Sequence, residues 1–276
     1  MERSKLSILA TTPGISFTAG FDNIPLQALK SAGIQVARIP AYSPSSIAEY
    51  ALSSILALSK NIQKSYEMTK AANFTIGGLQ CILLEDKVAG VIGTGLIGRK
   101  TAQKLSGLFK KVLCCDAFPS KAWIKGVPNT EYTDQETLLR ESDVISIHVP
   151  LLPGTKHLIN RDSIAKMKRN VILVNTSRGD VVHTADLVKG IKSGKIFGTA
   201  LDVFEGEKAF IFKDLSERGF KDHPDLKELA GMQNVIISSH VAFYTDEAIG
   251  QISEKTLRNY EGFLGIVAKD EKAFVI

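Results

Sequence analysis

The sequence contains little cysteine, no long apolar run and no block of charges of one sign. Its three cysteines cannot form a disulfide framework, and two of them, Cys114 and Cys115, adjoin in a predicted strand with side chains on opposite faces. No set of cysteines and histidines has metal-ligand spacing, so we expect no bound metal. No apolar run reaches membrane-spanning length, so we expect no membrane insertion. Together these features predict a cytoplasmic protein.

The charged residues are numerous but scattered along the chain. The formal net charge is +5, and no cluster of lysines or arginines forms an arm for nucleic acid or a membrane surface. Hydrophobic residues make up 44% and charged residues 23% of the 276 residues, which is typical of a globular enzyme. This length suits one large domain or two moderate ones.

Short apolar runs alternate with helical patterns from residue 86 onward. This alternation predicts an α/β fold with a doubly wound parallel sheet covered by helices on both faces. The predicted strands are Val88–Ile92, Lys111–Cys115, Val144–Val149, Val171–Asn175, Gly198–Val203 and Val235–Ser238. The predicted helices between them are Arg99–Leu108, Asp134–Arg140, Asp162–Met167 and Thr184–Ser193.

The flanking regions have a different pattern. Ser43–Lys70 predicts one long helix. Its apolar residues cover a wider face than one neighbour can bury, so we expect it to pack on the sheet and on a second subunit. Before it, Leu26–Ala32 predicts a helix and Ile15–Ala19 a strand. Asp246–Val267 predicts a long C-terminal helix, and Gly206–Lys227 predicts a polar loop.

A glycine motif joins the first strand of the alternating region to the first helix. The motif is Gly93, Thr94, Gly95, Leu96, Ile97 and Gly98. Its glycines allow a tight turn and a close approach of a pyrophosphate to a helix N-terminus, as in Rossmann-type folds. Asp116 ends the next strand, where a carboxylate accepts hydrogen bonds from ribose hydroxyls and repels a 2′-phosphate. The motif therefore predicts NAD rather than NADP as the cofactor.

Three charged side chains follow three different strands of the predicted sheet. His240 ends "NVIISSH", Arg178 follows "VILVNTSRGD", and Glu207 lies beyond "GTALDVFEGE". Because the carboxyl ends of parallel strands share one edge, these side chains are expected to converge on one crevice. Reduction of a carbonyl needs a proton donor and a cation, which His240 and Arg178 can supply.

The other histidines are weaker candidates for a proton donor. His157, His183 and His223 lie in polar contexts, where solvated or helix-capping side chains are expected. His148 lies inside a strand and is expected to pack along the cofactor side.

These segments together resemble the NAD-dependent D-2-hydroxyacid dehydrogenases. The resemblance rests on "GVIGTGLIGRKTAQKL", "DVISIHVPLLPGTKHLIN", "VILVNTSRGDVV", "GTALDVFEGE" and "NVIISSHVAFYTDEA", and "AGFDNIPLQALKSAGIQVARIPAYSPSSIAEYAL" is most similar to the D-lactate dehydrogenase branch. It implies a homodimeric enzyme that reduces a 2-keto acid, with pyruvate as the first choice, to the D-2-hydroxy acid. Phenylpyruvate, branched 2-keto acids and glyoxylate stay open as substrates. An NAD-binding regulator and a non-catalytic remnant stay open as functions.

The resemblance also implies roles for individual residues. Arg178 would bind the substrate carboxylate and C2 oxygen, His240 would be the general acid/base, and Glu207 would hydrogen-bond His240. Glu205 stays open as the alternative partner of that histidine. The remaining assignments are substrate contacts at Ala19, Gly20 and Tyr42, and cofactor contacts at Val149, Pro150, Thr176, Asp202 and His240.

The resemblance implies two domains of different size. Residues 1–42 would form part of a smaller, flavodoxin-like substrate domain, 43–245 the NAD-binding domain, and 246–276 a helix returning to the substrate domain. Family members have further strands and helices before the segment that matches "AGFDNI". We therefore expect an incomplete substrate domain and reduced turnover.

Overall fold

The computed structural model describes residues 14–15, 20, 24–220 and 223–275. The chain divides into two compact units, the larger spanning Ile47–Ala242 and the smaller combining Met1–Ser46 with Phe243–Ile276. The domain boundaries given by the sequence analysis stay a prediction. The assignment of the smaller unit to substrate binding stays a prediction.

The described residues form two sheets and a series of helices. The strands are β1 (Gly14–Ile15), β2 (Val36–Ala37), β3 (Val88–Ile92), β4 (Lys111–Cys115), β5 (Thr130–Tyr132), β6 (Val144–Ile147), β7 (Val171–Asn175), β8 (Ile196–Leu201) and β9 (Val235–Ile237). The helices are α1 (Leu26–Ser31), α2 (Pro44–Ser59), α3 (Ile62–Lys70), α4 (Leu96–Leu105), α5 (Lys121–Ile124), α6 (Gln135–Glu141), α7 (Arg161–Lys166), α8 (Thr184–Lys192), α9 (Pro224–Ala230) and α10 (Asp246–Phe263). None of these helices is both long enough and apolar enough to cross a membrane.

The larger unit is built on a seven-stranded parallel sheet with the order β5-β4-β3-β6-β7-β8-β9. The chain places β4 and β5 on one side of β3, then returns to place β6 on the other side. The strand order therefore reverses between β3 and β6, and ligands of open parallel sheets bind at the carboxyl ends of the strands beside such a reversal. The predicted doubly wound sheet is confirmed.

Apolar side chains cover both faces of this sheet. On β4, Leu113 belongs to one hydrophobic cluster, whereas its neighbours Val112 and Cys114 belong to another. Successive side chains of a strand point to opposite faces, so the two clusters lie on opposite sides. Cys115 packs against the cluster that contains Leu113, which places the two adjacent cysteines on opposite faces as expected.

The smaller unit contains a short parallel sheet of β1 and β2. The end of the chain extends this sheet, because Ala37 forms an antiparallel bridge with Phe274 and Val275 N–H donates to Val36 O. Asn259 of α10 donates its side-chain amide to the carbonyl of Arg38 at 3.0 Å. Helix α10 therefore belongs to the same unit as β2.

The prediction of one helix over Ser43–Lys70 is wrong. Helix α2 ends at Ser59 and α3 begins at Ile62, and between them Asn61 adopts a left-handed backbone conformation with φ 51°. Asparagine tolerates this conformation, which commonly ends helices. The side chains of Lys60 and Asn61 donate to the carbonyls of Ile82 and Gln80, so a later segment packs across the break.

Three short elements escaped the sequence analysis. Strand β5 and helix α5 lie in the loop that was expected after β4, and helix α9 begins inside the expected polar loop Gly206–Lys227. Each has too few residues to show a clear apolar period.

Candidate functional site

The glycine motif forms a turn between β3 and α4 at the point where the strand order reverses. Gly93 has φ 90°, and a Cβ there would lie 2.5 Å from His148 O. A Cβ on Gly98 would lie 1.8 Å from Gly93 O, whereas one on Gly95 would meet no atom within 4 Å. Two glycines are therefore required by packing, and Gly95 leaves open space at the N-terminus of α4. This bare, positively polarised helix end fits a pyrophosphate.

Asp116 is held beside this turn by several donors. Its Oδ1 accepts from Phe118 N–H at 2.8 Å, and its Oδ2 accepts from Thr94 N–H and from Thr94 Oγ1. Burial acts to raise the pKa of Asp116, but these hydrogen bonds and the nearby Arg99 guanidinium outweigh it and lower the pKa. The ionised carboxylate retains acceptor capacity for a ribose hydroxyl, because it can accept about four hydrogen bonds.

A chain of hydroxyl groups orients the contact between Thr94 and Asp116. Ser120 N–H donates to Tyr132 Oη at 3.1 Å, and Tyr132 Oη lies 2.8 Å from Thr94 Oγ1. Because the Thr94 hydroxyl donates to Asp116, it accepts from Tyr132. The buried side chain of Thr94 is directed to the Asp116 carboxylate, and the cofactor contact expected of Thr94 stays a prediction.

The remaining predicted cofactor residues lie along the same edge of the sheet. Leu96 is exposed and Ile97 half-buried in the first turn of α4, and Val149 and Pro150 follow β6. Thr176 follows β7, and its Oγ1 is buried without a hydrogen-bond partner in the described part of the chain. Buried polar atoms are seldom left unpaired, so this hydroxyl fits a ligand group such as those of a nicotinamide nucleotide.

His148 is unsuited to proton transfer. Burial lowers the pKa of its imidazole to about 3, so the ring is neutral near pH 7. Its Nε2 lies 2.9 Å from Ser146 Oγ, and its Cβ lies 3.4 Å from the position that a Cβ on Gly98 would take. His148 therefore packs beneath the glycine turn, as the sequence indicated.

The loop after β7 is shaped by Asn175, which the sequence analysis missed. The buried Asn175 Oδ1 accepts from Ser177 N–H and Oγ, and its Nδ2 donates to Arg178 O at 2.9 Å. This turn fixes the backbone from which the half-buried Arg178 side chain extends. The signal was present, because asparagine at the end of an apolar strand favours such side-chain-capped turns.

The loops after β7 and β8 touch at a glycine. A Cβ on Gly179 would lie 2.1 Å from Phe204 O and 2.8 Å from Glu205 N, so any side chain would separate the loops. Arg178 precedes this contact on one loop, and Glu207 follows it on the other. The close approach therefore brings together the segments that carry these two charged residues.

His240 and Glu207 form a hydrogen-bonded pair. His240 Nδ1 lies 3.2 Å from Glu207 Oε1, and both side chains are partly buried. The backbone of His240 has φ 58°, an unusual conformation for a residue with a side chain, and its N–H donates to Asp202 O. Such strained conformations often occur at functional sites.

Asp202 holds the loop that carries His240. Its buried carboxylate accepts from Ser238 Oγ at 2.6 Å, Val241 N–H at 2.9 Å and Ala242 N–H at 2.9 Å. The cofactor contact that the sequence analysis assigned to Asp202 stays a prediction. In the structure, the hydrogen bonds of the Asp202 carboxylate go to the loop that carries His240.

Glu205 has different partners from Glu207. Its Oε1 lies 2.6 Å from His157 Nε2, and its Oε2 accepts from Thr184 N–H. The contact with His240 is therefore made by Glu207, as the family motif implied. His157 pairs with Glu205, a contact that the sequence did not indicate. His183 directly precedes α8, at the helix edge where it was expected, and its Nδ1 lies 2.8 Å from Asp186 Oδ2.

Two of the three predicted substrate contacts outside the sheet, Gly20 and Tyr42, belong to the smaller unit, and Gly20 is half-buried. The third, Ala19, lies outside the described residues. Tyr42 packs edge-on against Phe243, with ring centroids 5.8 Å apart. Their roles stay predictions.

The arrangement in the larger unit can bind a nucleotide and transfer a proton. The glycine turn and Asp116 suit a diphosphate and a ribose, and the Glu207 carboxylate orients the His240 imidazole through their hydrogen bond. Arg178 offers a planar, permanently charged group that suits a carboxylate. Carbonyl reduction needs these functions together.

Comparison with known proteins gives a consistent picture. Residues 52–242 match the model of the D-isomer specific 2-hydroxyacid dehydrogenase NAD-binding domain. The chain is 40% identical over 244 residues to the D-lactate dehydrogenase kk1H of Curvularia clavata, covering 88% of this chain and 69% of that protein. It is 38% identical to an aromatic 2-oxoacid reductase of Clostridium sporogenes, over 89% of this chain and 73% of that protein. The crystal structure of D-lactate dehydrogenase from Aquifex aeolicus, complexed with NAD and lactic acid, superposes with a TM-score of 0.86 at 39% identity, covering 95% of this chain and 79% of that one.

Proposed function

This chain belongs to the D-isomer specific 2-hydroxyacid dehydrogenases, NAD-dependent oxidoreductases, and from that premise we propose that it reduces pyruvate to D-lactate. The observation that carries the proposal is the His240–Glu207 pair at the edge of the sheet that also carries the glycine turn and Arg178. Similarity to D-lactate dehydrogenases supports pyruvate as the substrate.

Each side chain has a distinct task in this reaction. NADH, when bound, supplies the hydride for the carbonyl carbon. His240 donates a proton to the carbonyl oxygen, and Glu207 orients the imidazole for this donation through its hydrogen bond with Nδ1. Arg178 binds the substrate carboxylate and polarises the carbonyl. Asp116 accepts hydrogen bonds from the adenosine ribose, and Gly95 leaves room for the diphosphate.

A panel of 2-keto acids tests the substrate. We expect NADH oxidation to be fastest with pyruvate, slower with phenylpyruvate and branched 2-keto acids, and slowest with glyoxylate. A preference for phenylpyruvate would assign the chain to aromatic 2-keto acids instead. NADH binding without oxidation of NADH by any of them would contradict the proposed reaction and favour a binding protein.

Replacement of Asp116 tests the choice of cofactor. The unaltered protein should bind NADH much more tightly than NADPH, because the carboxylate repels a 2′-phosphate. Asp116→Ala should narrow that gap by roughly 1–3 kcal/mol through the loss of a charge-assisted contact. Fluorescence titration with both nucleotides measures the gap, and Asp116→Asn separates the effect of charge from that of size. Equal affinities in the unaltered protein would refute the assignment.

Replacement of Glu207 tests its pairing with His240. Glu207→Gln replaces the carboxylate that contacts His240 Nδ1 with a neutral amide, so the imidazole loses a charge-assisted hydrogen bond and kcat for pyruvate reduction should fall. The measurement is kcat for reduction, with NADH titration as a check on the cofactor site. Glu205→Gln is the control and should leave kcat within a few-fold, because Glu205 contacts His157. A loss of kcat in Glu205→Gln but not in Glu207→Gln would reverse the assignment.

We further propose that the protein is a cytoplasmic homodimer. Helix α3 and the segment after it expose Ile62 (55%), Tyr66 (60%), Phe74 (78%), Ile76 (88%) and Leu83 (58%). Several large apolar side chains exposed along one stretch of chain are typical of a subunit interface. The scarcity of cysteine supports a reducing compartment.

Light scattering at micromolar concentration tests the assembly. The unaltered protein should have the mass of a dimer, and Phe74→Asp with Ile76→Asp should give a monomer that still binds NADH. The control is Leu257→Asp, which changes an equally apolar exposed residue of α10 and should leave the dimer intact. A monomeric unaltered protein would contradict the proposal.

A further inference from the structure

A second group of reactive side chains lies at the carboxyl edge of the sheet, apart from the His240–Glu207 pair. His157 follows β6, Asp180 follows β7 and Glu205 follows β8. One imidazole nitrogen and two carboxylate oxygens, one atom from each residue, lie within 4.8 Å of one another. All three residues are half-buried. This group is not visible in the sequence, because its members come from three separate loops.

The charge of this group favours a cation. The Asp180 carboxylate has no hydrogen bond or ion pair with any residue that the structure describes, and no Lys or Arg side chain in that part of the chain pairs with Glu205. Burial acts to raise the pKa of Glu205, but hydrogen bonds from Thr184 and His157 outweigh it and lower the pKa. Two carboxylates therefore face one imidazole, and among the described residues no Lys or Arg side chain pairs with either carboxylate.

A second imidazole lies next to the group. The ring centroid of His183 is 4.8 Å from that of His157, and His183 Nδ1 lies 2.8 Å from Asp186 Oδ2. Metal-binding histidines commonly donate one ring nitrogen to a carboxylate in this way, which orients the other nitrogen. The surroundings of His157 thus combine the donor types of a transition-metal site.

We propose that His157, Asp180 and Glu205 bind a divalent transition-metal ion of the Zn²⁺ type. One nitrogen and two oxygens, with water in the fourth position, suit Zn²⁺, whereas Mg²⁺ and Ca²⁺ prefer oxygen ligands alone. Bonds of about 2 Å to a shared ion separate its ligands by roughly 3.3 Å. His157 Nε2 and Glu205 Oε1, now 2.6 Å apart, must therefore separate slightly, and Nε2 must bind the metal through its lone pair, without a proton.

Such an ion would join three loops next to the site of the reaction. Asp180 lies on the same loop as Arg178, and Glu205 lies on the same loop as Glu207. A shared metal ion would hold these loops together and stabilise the larger unit, because it binds the folded chain and not the separated loops. The proposal does not depend on the reaction that the enzyme catalyses.

Calorimetric titration of the chelator-treated full chain with ZnCl₂ tests the site directly. We expect saturable binding of a single Zn²⁺ per chain, a higher Tm and no binding of Mg²⁺. Bound Co²⁺ should give the visible absorption of a site with nitrogen and oxygen ligands. Failure to bind Zn²⁺ in a saturable manner would overturn the proposal and leave a hydrogen-bonded His157–Glu205 pair.

Variants locate the bound ion. Asp180→Asn should weaken Zn²⁺ binding at least tenfold and leave the fold intact, since the carboxylate contacts no other side chain among the described residues. His157→Gln should abolish binding, with circular dichroism and NADH titration checking the fold. Asp162→Asn, an exposed carboxylate on α7, and His240→Gln should leave the affinity unchanged. Loss of binding in His240→Gln with retention in Asp180→Asn would place the ion at the His240–Glu207 pair and overturn the proposal.

Discussion

Replacing His240 with glutamine should lower the rate of pyruvate reduction by about three orders of magnitude and leave NADH affinity nearly unchanged. General acid catalysis typically contributes on the order of 10²–10⁴-fold, and His240 is the imidazole that contacts Glu207 at the sheet edge. The measurements are steady-state kinetics with pyruvate and fluorescence titration with NADH.

The backbone at this position requires a second variant. His240 has φ 58°, a conformation that asparagine adopts more readily than glutamine, so His240→Asn should bind NADH and be equally inactive. His223→Gln is the control, since His223 packs against Phe210, with ring centroids 4.4 Å apart, and should keep its rate within a few-fold. Substantial activity in both His240 variants would show that another group donates the proton.

Replacing Arg178 with lysine should reduce kcat and raise KM for pyruvate together. Lysine keeps the charge but loses the planar pair of donors that suits a carboxylate. Loss of this geometry should cost about 2–4 kcal/mol, or roughly 30- to 1000-fold in kcat/KM.

Two controls sharpen this result. Arg140→Lys alters an exposed ion pair with Glu136 on α6 and should change neither constant. NADH affinity in Arg178→Lys should stay close to that of the unaltered protein, because Asp116 and the glycine turn are unchanged. An unaltered KM would mean that Arg178 does not bind the substrate.

Local features of this site were predictable from the sequence. The glycine turn, Asp116 and the parallel sheet depend on neighbouring residues and on the alternation of apolar runs with helical patterns. The sharing of one sheet edge by Arg178, Glu207 and His240 follows from parallel topology alone. These predictions required no knowledge of how loops pack.

Features that depend on contacts between distant loops were not predictable. The sequence alone left Glu205 and Glu207 as alternative hydrogen-bond partners of His240. The choice depends on how the loops pack, which brings Glu205 to His157 and Glu207 to His240. The need for glycine at position 179 arises from Phe204, which lies on another loop. The break at Asn61 was missed because the apolar pattern continues on both sides of it.

The chirality of the product tests the central claim most directly. Purified protein incubated with pyruvate and NADH should form D-lactate, with one molecule released for each NADH oxidised, and no L-lactate. Enzymatic assays specific for each enantiomer measure this outcome, with His240→Gln as the inactive control. Formation of L-lactate, or oxidation of NADH without lactate, would contradict the account.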